Sequence, residues 1–369
     1  MIIKWYNNPA IQHEMLGMAM CNTDYMQESQ VNDLVGLFAV GRLLGITGPI
    51  NRNHQFVFKF DFTPLPEDWH STMTFGESCL RTAEDLWHTA AGRHVALYWS
   101  GGIDSTTALV ALIQTNSRWR DQIRIYTSPY AIEQEYPRFY QQYLQDLDVS
   151  ILQDRELFSP TLFGPDVLVT DGACGDQMWG CNALKNIPAL WQRPYSELWH
   201  TDQFRQCVID WQQDAVIDYI EQQIHKFQPR IDTVADLYWM LTFTHKWDYV
   251  RRRHMARVPD IRLFDDMHSF FNSFHLQRWA MTNSEPKLGS AWNTYKQPAK
   301  DFIYSFTKDQ DYRINKLQTP SLPRSVKAEV MEQSLYFQLV TDQGFKTRSQ
   351  MDGLIWRSFE WHWPPECVN

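Results

Sequence analysis

"VALYWSGGIDSTTALVALI", residues 95–113, sets two apolar runs around a polar junction of two glycines, an acid and several hydroxyls. The run "HVALYW" (residues 94–99) predicts a strand buried on both faces, and "DSTTALVALIQ" (residues 104–114) a buried helix directly after it. The same rhythm continues downstream. "IRIYTS" (residues 123–128), "VSILQ" (149–153) and "DVLVTDG" (166–172) predict strands, and "AIEQEYPRFYQQYLQDL" (131–147) contains a helix with Pro137 near its first turn or marking its start. Strands alternating with helices at this spacing predict βαβ units and a parallel sheet, an α/β fold.

Outward from that core the pattern changes. Upstream, "ESCLRTAEDLWHTAA" (residues 77–91) places Cys79, Leu80, Ala83, Leu86 and Trp87 on one helical face, and "HQFVFKFDF" (54–62) alternates as a strand does. Beyond residue 185 the chain turns to long helical patterns, among them 203–226 and 234–256, with no clear strands. The expected organisation is a small N-terminal α+β region (1–75), an α/β core (76–185) and a mainly helical C-terminal region (186–369).

Composition narrows the class. In 369 residues, 44% hydrophobic and 21% charged residues describe a soluble globular protein able to bury a large core. A net charge of −9 supplies no electrostatic reason to bind nucleic acid or an anionic membrane. The six cysteines form no C-x-x-C spacing and no zinc pattern, so they read as reduced thiols. With no signal layout at the N-terminus and no run long enough to span a bilayer, a cytoplasmic location without membrane attachment is expected.

In a parallel sheet, ligands bind beyond the carboxyl ends of the strands. Ser100–Thr107 is a loop of that kind. Gly101 and Gly102 allow close backbone approach, the N–H groups opening the next helix favour an anion, and Ser100, Ser105 and Thr106 add hydroxyls. Phosphate suits that chemistry. Asp104 then requires a bridging cation, for which Mg²⁺ is the natural choice. The plainer alternative has Asp104 and Ser105 capping a helix after a glycine turn. Neither G-x-x-x-x-G-K-[ST] nor G-x-G-x-x-G is present.

"SGGIDST" (residues 100–106) resembles the pyrophosphate loop S-G-G-x-D-S of the PP-loop ATP pyrophosphatases, whose members include asparagine, GMP and NAD synthetases. The resemblance implies a Rossmann-like, HUP-type sheet and cleavage of ATP between its α- and β-phosphates. "LVTDGACGDQMWG" (residues 168–180) is similar to the asparagine synthetase pattern G-E-G-x-D-E-x-F-G-G. Gly172, Asp176 and Gly180 match its frame, and Trp179 stands where Phe is usual. The resemblance thus implies ATP held on Ser100–Thr106 and Gly172, with Mg²⁺ between Asp104 and Asp176. An Asx turn before a helix is the plainer reading of this second segment.

Two departures stand out: the glutamate proposed in that family to activate the amine falls on Ala173, and Gln177 replaces a glutamate. "RVPDIRLFDDMHSF" (257–270) resembles the family's R-V-P-F-L-D segment, with Phe264 and Asp266 in register. "YRINKLQTP" (312–320) lies where the family carries a lysine that neutralises pyrophosphate, which implies Lys316, with Arg313 beside it, as electrostatic stabilisers. Asparagine synthetases begin with a glutaminase domain whose catalytic cysteine follows the initiator Met. Here position 2 is Ile and fewer than 100 residues precede the loop, so glutamine hydrolysis is not expected.

The leading expectation is an AMP-forming ligase that adenylates a carboxylate or amide oxygen and then admits an amine, using ATP and Mg²⁺. Two alternatives remain open: a PP-loop enzyme that modifies a nucleobase or tRNA, and a nucleotide-binding protein that has lost catalysis, for which Ala173 speaks.

Overall fold

Val95, Ala96, Leu97 and Trp99 are all buried in the computed structural model, as a strand covered on both faces requires. The structure describes residues 2–6, 21–22, 70–152, 166–180, 231–233, 235–237, 239–240, 243, 267–282, 292–317, 336–341 and 344–346. In chain order the elements begin with β1 (Ile2–Tyr6), β2 (Cys21–Asn22), α1 (Phe75–Ala90), β3 (His94–Trp99) and α2 (Ile103–Thr115). Next come α3 (Trp119–Gln122), β4 (Ile123–Thr127), α4 (Pro137–Phe139), β5 (Val149–Ile151), β6 (Val167–Asp171) and α5 (Gly175–Trp179). The series closes with β7 (Met267–Ser269), α6 (Phe274–Thr282), α7 (Gln297–Thr307), α8 (Gln310–Asn315), β8 (Tyr336–Thr341) and β9 (Gly344–Lys346).

The chain divides into two units. One comprises Met1–Asp61, Gly180–Ala256 and Gln333–Asn369, and contains an antiparallel sheet ordered β2-β1-β8-β9. The other comprises Phe62–Trp179 and Arg257–Glu332, so the chain passes through it twice. Its five-stranded sheet, ordered β5-β4-β3-β6-β7, is parallel throughout and flanked by helices, a Rossmann-like α/β architecture. Val95 stands opposite both Ile123 and Leu168, which fixes β3 at the centre.

Strand order also locates the crevice. The chain runs outward from β3 through β4 to β5, then returns to the other side of β3 as β6. That reversal is a topological switch point, and in open α/β sheets ligands bind there beyond the carboxyl ends of the strands. The two loops leaving β3 and β6 are the two segments singled out by their glycines and acids.

Helix α2 is buried along its whole length from Ser105 to Ile113, so it lies inside the unit rather than on its surface. Each fully buried Leu or Val in it contributes about 2 kcal/mol. Both α1 and α7 pack on it. Helix α1 starts two residues earlier than its apolar spacing predicts because Thr74 and Glu77 form a capping box: Thr74 N donates to Glu77 Oε2 at 2.7 Å, and Glu77 N to Thr74 Oγ1 at 3.2 Å.

Several expectations need correction. The helix expected within 131–147 is present and Pro137 marks its start, at the first turn of α4, but it runs on through Tyr140–Leu144 with π-type bonding and is preceded by a separate π-type segment, Ala131–Glu135. The region after 185 is not strand-free: β7 extends the parallel sheet, and β8 and β9 belong to the antiparallel one. Three-residue strands such as β7 are too short to show a period. Of the expected helix 234–256, residues 235–237, 239–240 and 243 are helical; the expected strand 54–62 and helix 203–226 lie outside the described residues, as does most of segment 257–270. Among the described residues no helix is long and apolar enough to cross a membrane.

Candidate functional site

Beyond Trp99 the chain turns through Gly101 at φ +71°, a conformation glycine adopts without strain. A Cβ there would lie 2.7 Å from Glu135 Cβ. Ser105 ties the loop down: its hydroxyl lies 3.0 Å from Ser100 Oγ and accepts from Ser100 N at 3.1 Å. Gly102 is the N-cap of α2 and no side chain caps the helix. The capping role open to Asp104 and Ser105 is therefore not the one they play. Thr106 is fully buried and accepts from the Trp99 indole at 3.0 Å, so its hydroxyl secures the strand–helix junction.

The loop after β6 presses against this one at two glycines. A Cβ on Gly172 would sit 2.5 Å from Ser105 N, and one on Gly175 would sit 2.4 Å from Asp104 Cγ. Between them Cys174 holds φ +69° with its thiol buried, at a position where the synthetase pattern has glycine. An Asx turn does occur here, but it belongs to Asp171, whose Oδ1 accepts from Ala173 N at 3.1 Å. Asp176 is left for another partner.

That partner is Lys296. Its Nζ donates to Asp104 Oδ2 at 2.5 Å and to Asp176 Oδ1 at 3.1 Å, and its side chain is fully buried while the two carboxylates keep 18% and 25% exposure. Both acids reach a single nitrogen, so one cation of either kind can touch both. Lys296 is the N-cap of α7, with φ 58°, and lies under two rings, 5.3 Å from Tyr295 and 6.0 Å from Trp179. Tyr295 OH also donates to Asp176 Oδ1 at 3.4 Å, and Tyr295 stacks on Trp292 with centroids 4.4 Å apart. Trp179 is held from behind by Phe75 and Trp279. A buried ammonium is tolerable only when paired, and here two carboxylates offset its desolvation and leave the trio with a net negative charge.

Lys316 lies on the other flank of the first loop. Its ammonium donates to the Glu135 carboxylate and, at 3.2 Å, to the Glu135 carbonyl; Glu135 is buried and Lys316 largely so. Glu135 is the residue whose Cβ crowds Gly101. Tyr312 fits beside it, stacked on Tyr136 at 3.9 Å, with its hydroxyl donating to Gly101 O at 3.5 Å. Burial pushes the Tyr312 phenol well up, so it stays a donor throughout the accessible pH range. Arg313, by contrast, pairs with half-exposed Asp301 at 2.6 Å and lies over Tyr304, and among the described residues it bonds to neither loop.

Among the described residues a magnesium ion would find two carboxylate ligands here, Asp104 and Asp176, with no cluster of three or more His, Cys, Asp or Glu. That donor set fits an ion arriving with its own waters and phosphate oxygens, and does not fit a permanent all-protein cage. Gln177, next to Asp176, is fully buried, and neither atom of its side-chain amide has a hydrogen-bond partner among the described residues. Sequence reasoning selected Asp104 and Asp176 but missed Lys296. In sequence it stands 192 residues from Asp104, and no spacing connects the two. No protein-family model matches the chain, and neither a curated protein nor a solved structure matches it.

Proposed function

We propose that the chain is an AMP-forming ATP pyrophosphatase of the PP-loop, HUP type, acting as an asparagine-synthetase-like ligase on a small carboxylate or amide. The observation that carries this reading is the convergence of Asp104 and Asp176, one from each loop at the switch point, on a single cation position. The first loop would receive the pyrophosphate moiety of ATP on the N–H groups that open α2, with Ser100 as a hydroxyl donor. Asp104 and Asp176 would hold Mg²⁺, which supplies charge neutralisation of the phosphates.

The chain's own residues then position and neutralise. Ser105 fixes the loop through Ser100, and Gly172 and Gly175 let the second loop close on it. A substrate oxygen attacks the α-phosphorus, the bond to the bridging oxygen of pyrophosphate breaks, and the substrate carries AMP until an amine displaces it. Lys316 is paired with Glu135 beside Gly101, so it would offer positive charge to the pyrophosphate only by giving up part of that pair. Ala173 has no group to move a proton, so the amine would have to arrive neutral or lose its proton elsewhere.

The experiment is analysis of nucleotide products by mass spectrometry, with Mg-ATP, pooled carboxylates and amino acids, and ammonium. AMP and pyrophosphate from the wild type, absent with Asp104→Asn, are expected. ADP and phosphate would overturn the reading, and ATP bound without cleavage in every pool would favour the nucleotide-binding alternative that Ala173 suggests.

A further inference from the structure

We propose that Lys296 is the site's resident cation: its ammonium occupies the seat between Asp104 and Asp176 while nucleotide is absent, so a divalent ion enters only together with a polyphosphate, which then takes over the ammonium. The second half of this inference rests on the nucleotide reading above; the first half rests on geometry alone. Nζ lies within 3.1 Å of both acids, and the lysine side chain is wholly enclosed.

A free divalent ion meets three obstacles here. The seat is filled. Evicting the ammonium leaves a charge to be rehoused in a buried setting, beside the Tyr295 and Trp179 rings. Among the described residues, the ion's return for this is two carboxylates and one tyrosyl oxygen already turned toward Asp176. A polyphosphate changes each term, because it brings ligands for the metal and anionic oxygens for the displaced lysine. The four-carbon stem lets the ammonium move while its backbone stays fixed at the start of α7. Nucleotide and divalent ion therefore bind with positive coupling, and by linkage each tightens the other equally.

The test is Mn²⁺ binding to the full chain, followed by electron paramagnetic resonance, with and without α,β-methylene-ATP. Wild type is expected to bind Mn²⁺ weakly alone and at least about tenfold more tightly with the analogue. Lys296→Met is expected to bind Mn²⁺ alone about tenfold more tightly than wild type, to gain thermal stability from it, and to lose most of the coupling. Lys296→Arg, which keeps the positive charge, should bind Mn²⁺ alone less tightly than Lys296→Met does. Equal Mn²⁺ affinity in wild type and Lys296→Met would overturn the proposal. If Lys296→Met does not fold, Lys296→Gln and the wild-type titration decide, since tight Mn²⁺ binding to nucleotide-free wild type is equally fatal. Failure of the analogue to bind any form would sink the nucleotide reading instead, leaving the metal comparison to report on Lys296 alone.

Discussion

The two loops at the switch point occupy equivalent places, yet they are built differently. The loop after β3 feeds a thirteen-residue helix that is buried, rigid and fully furnished with N–H groups at its start. The loop after β6 feeds a helix of five residues and holds its shape through an Asx turn at Asp171 and a left-handed Cys174. The first has the equipment for an anion. The second contributes a carboxylate and two glycines that let it approach. In the nucleotide reading proposed above, one loop is a receptor and the other a clamp, with an acid from each at the centre.

That division of labour can be broken by substitution. The largest effect is expected at the acids: Asp104→Asn and Asp176→Asn should each lower AMP formation by about 10²–10³, measured by product analysis under saturating Mg-ATP. A receptor-only site would be spared by Asp176→Asn. Next in size, Lys316→Met strands the buried Glu135 carboxylate and should cost about 3 kcal/mol in urea unfolding, whereas Arg313→Ala, at an exposed pair, should leave the unfolding midpoint nearly unchanged. Equal costs would show that the two cations share one role.

The clamp's glycines give the third test. Gly172→Ala drives a methyl into the backbone of α2 and should cost about 2–3 kcal/mol, while Gly102→Ala meets only Ser100 Oγ at 3.3 Å and should stay below about 1 kcal/mol. The smallest effect is expected at Gln177. Replacing its unbonded buried amide by Met should raise stability by about 1 kcal/mol in the absence of nucleotide. A loss of stability there would show that the amide has a structural partner.

The receptor was the legible half. Strands β3, β4 and β6 and helix α2 stand within about two residues of where their apolar runs predict, because inner parallel strands and buried helices are largely apolar, and the edge strand β5 does so as well although Ser150 and Ile151 are exposed. Asp104 and Asp176 were readable for another reason: each follows a strand in a glycine-bearing turn, and the two segments resemble the S-G-G-x-D-S and G-E-G-x-D-E-x-F-G-G patterns. What escaped was set by tertiary structure. Strand β7 is three residues long and is recruited by its neighbour β6 rather than by its own pattern. Lys296 follows a tyrosine and precedes a glutamine like any surface lysine, and only the packing of α7 on α2 brings it under the acids. The start of α1 was readable in retrospect, since Thr74 and Glu77 spell a capping box.

The double passage of the chain through the parallel-sheet unit has a consequence for the order of events on the ribosome. A nascent chain that has emerged as far as Trp179 already owns four of the five strands, both loops and both carboxylates. The counter-charge is still unmade, since Lys296 belongs to the second passage, Arg257–Glu332. More than a hundred further residues, about ten seconds of synthesis at ordinary elongation rates, separate Trp179 from Lys296. The contact of Lys296 with Asp104 and Asp176 therefore forms only after the second passage has been made, late in the life of the nascent chain.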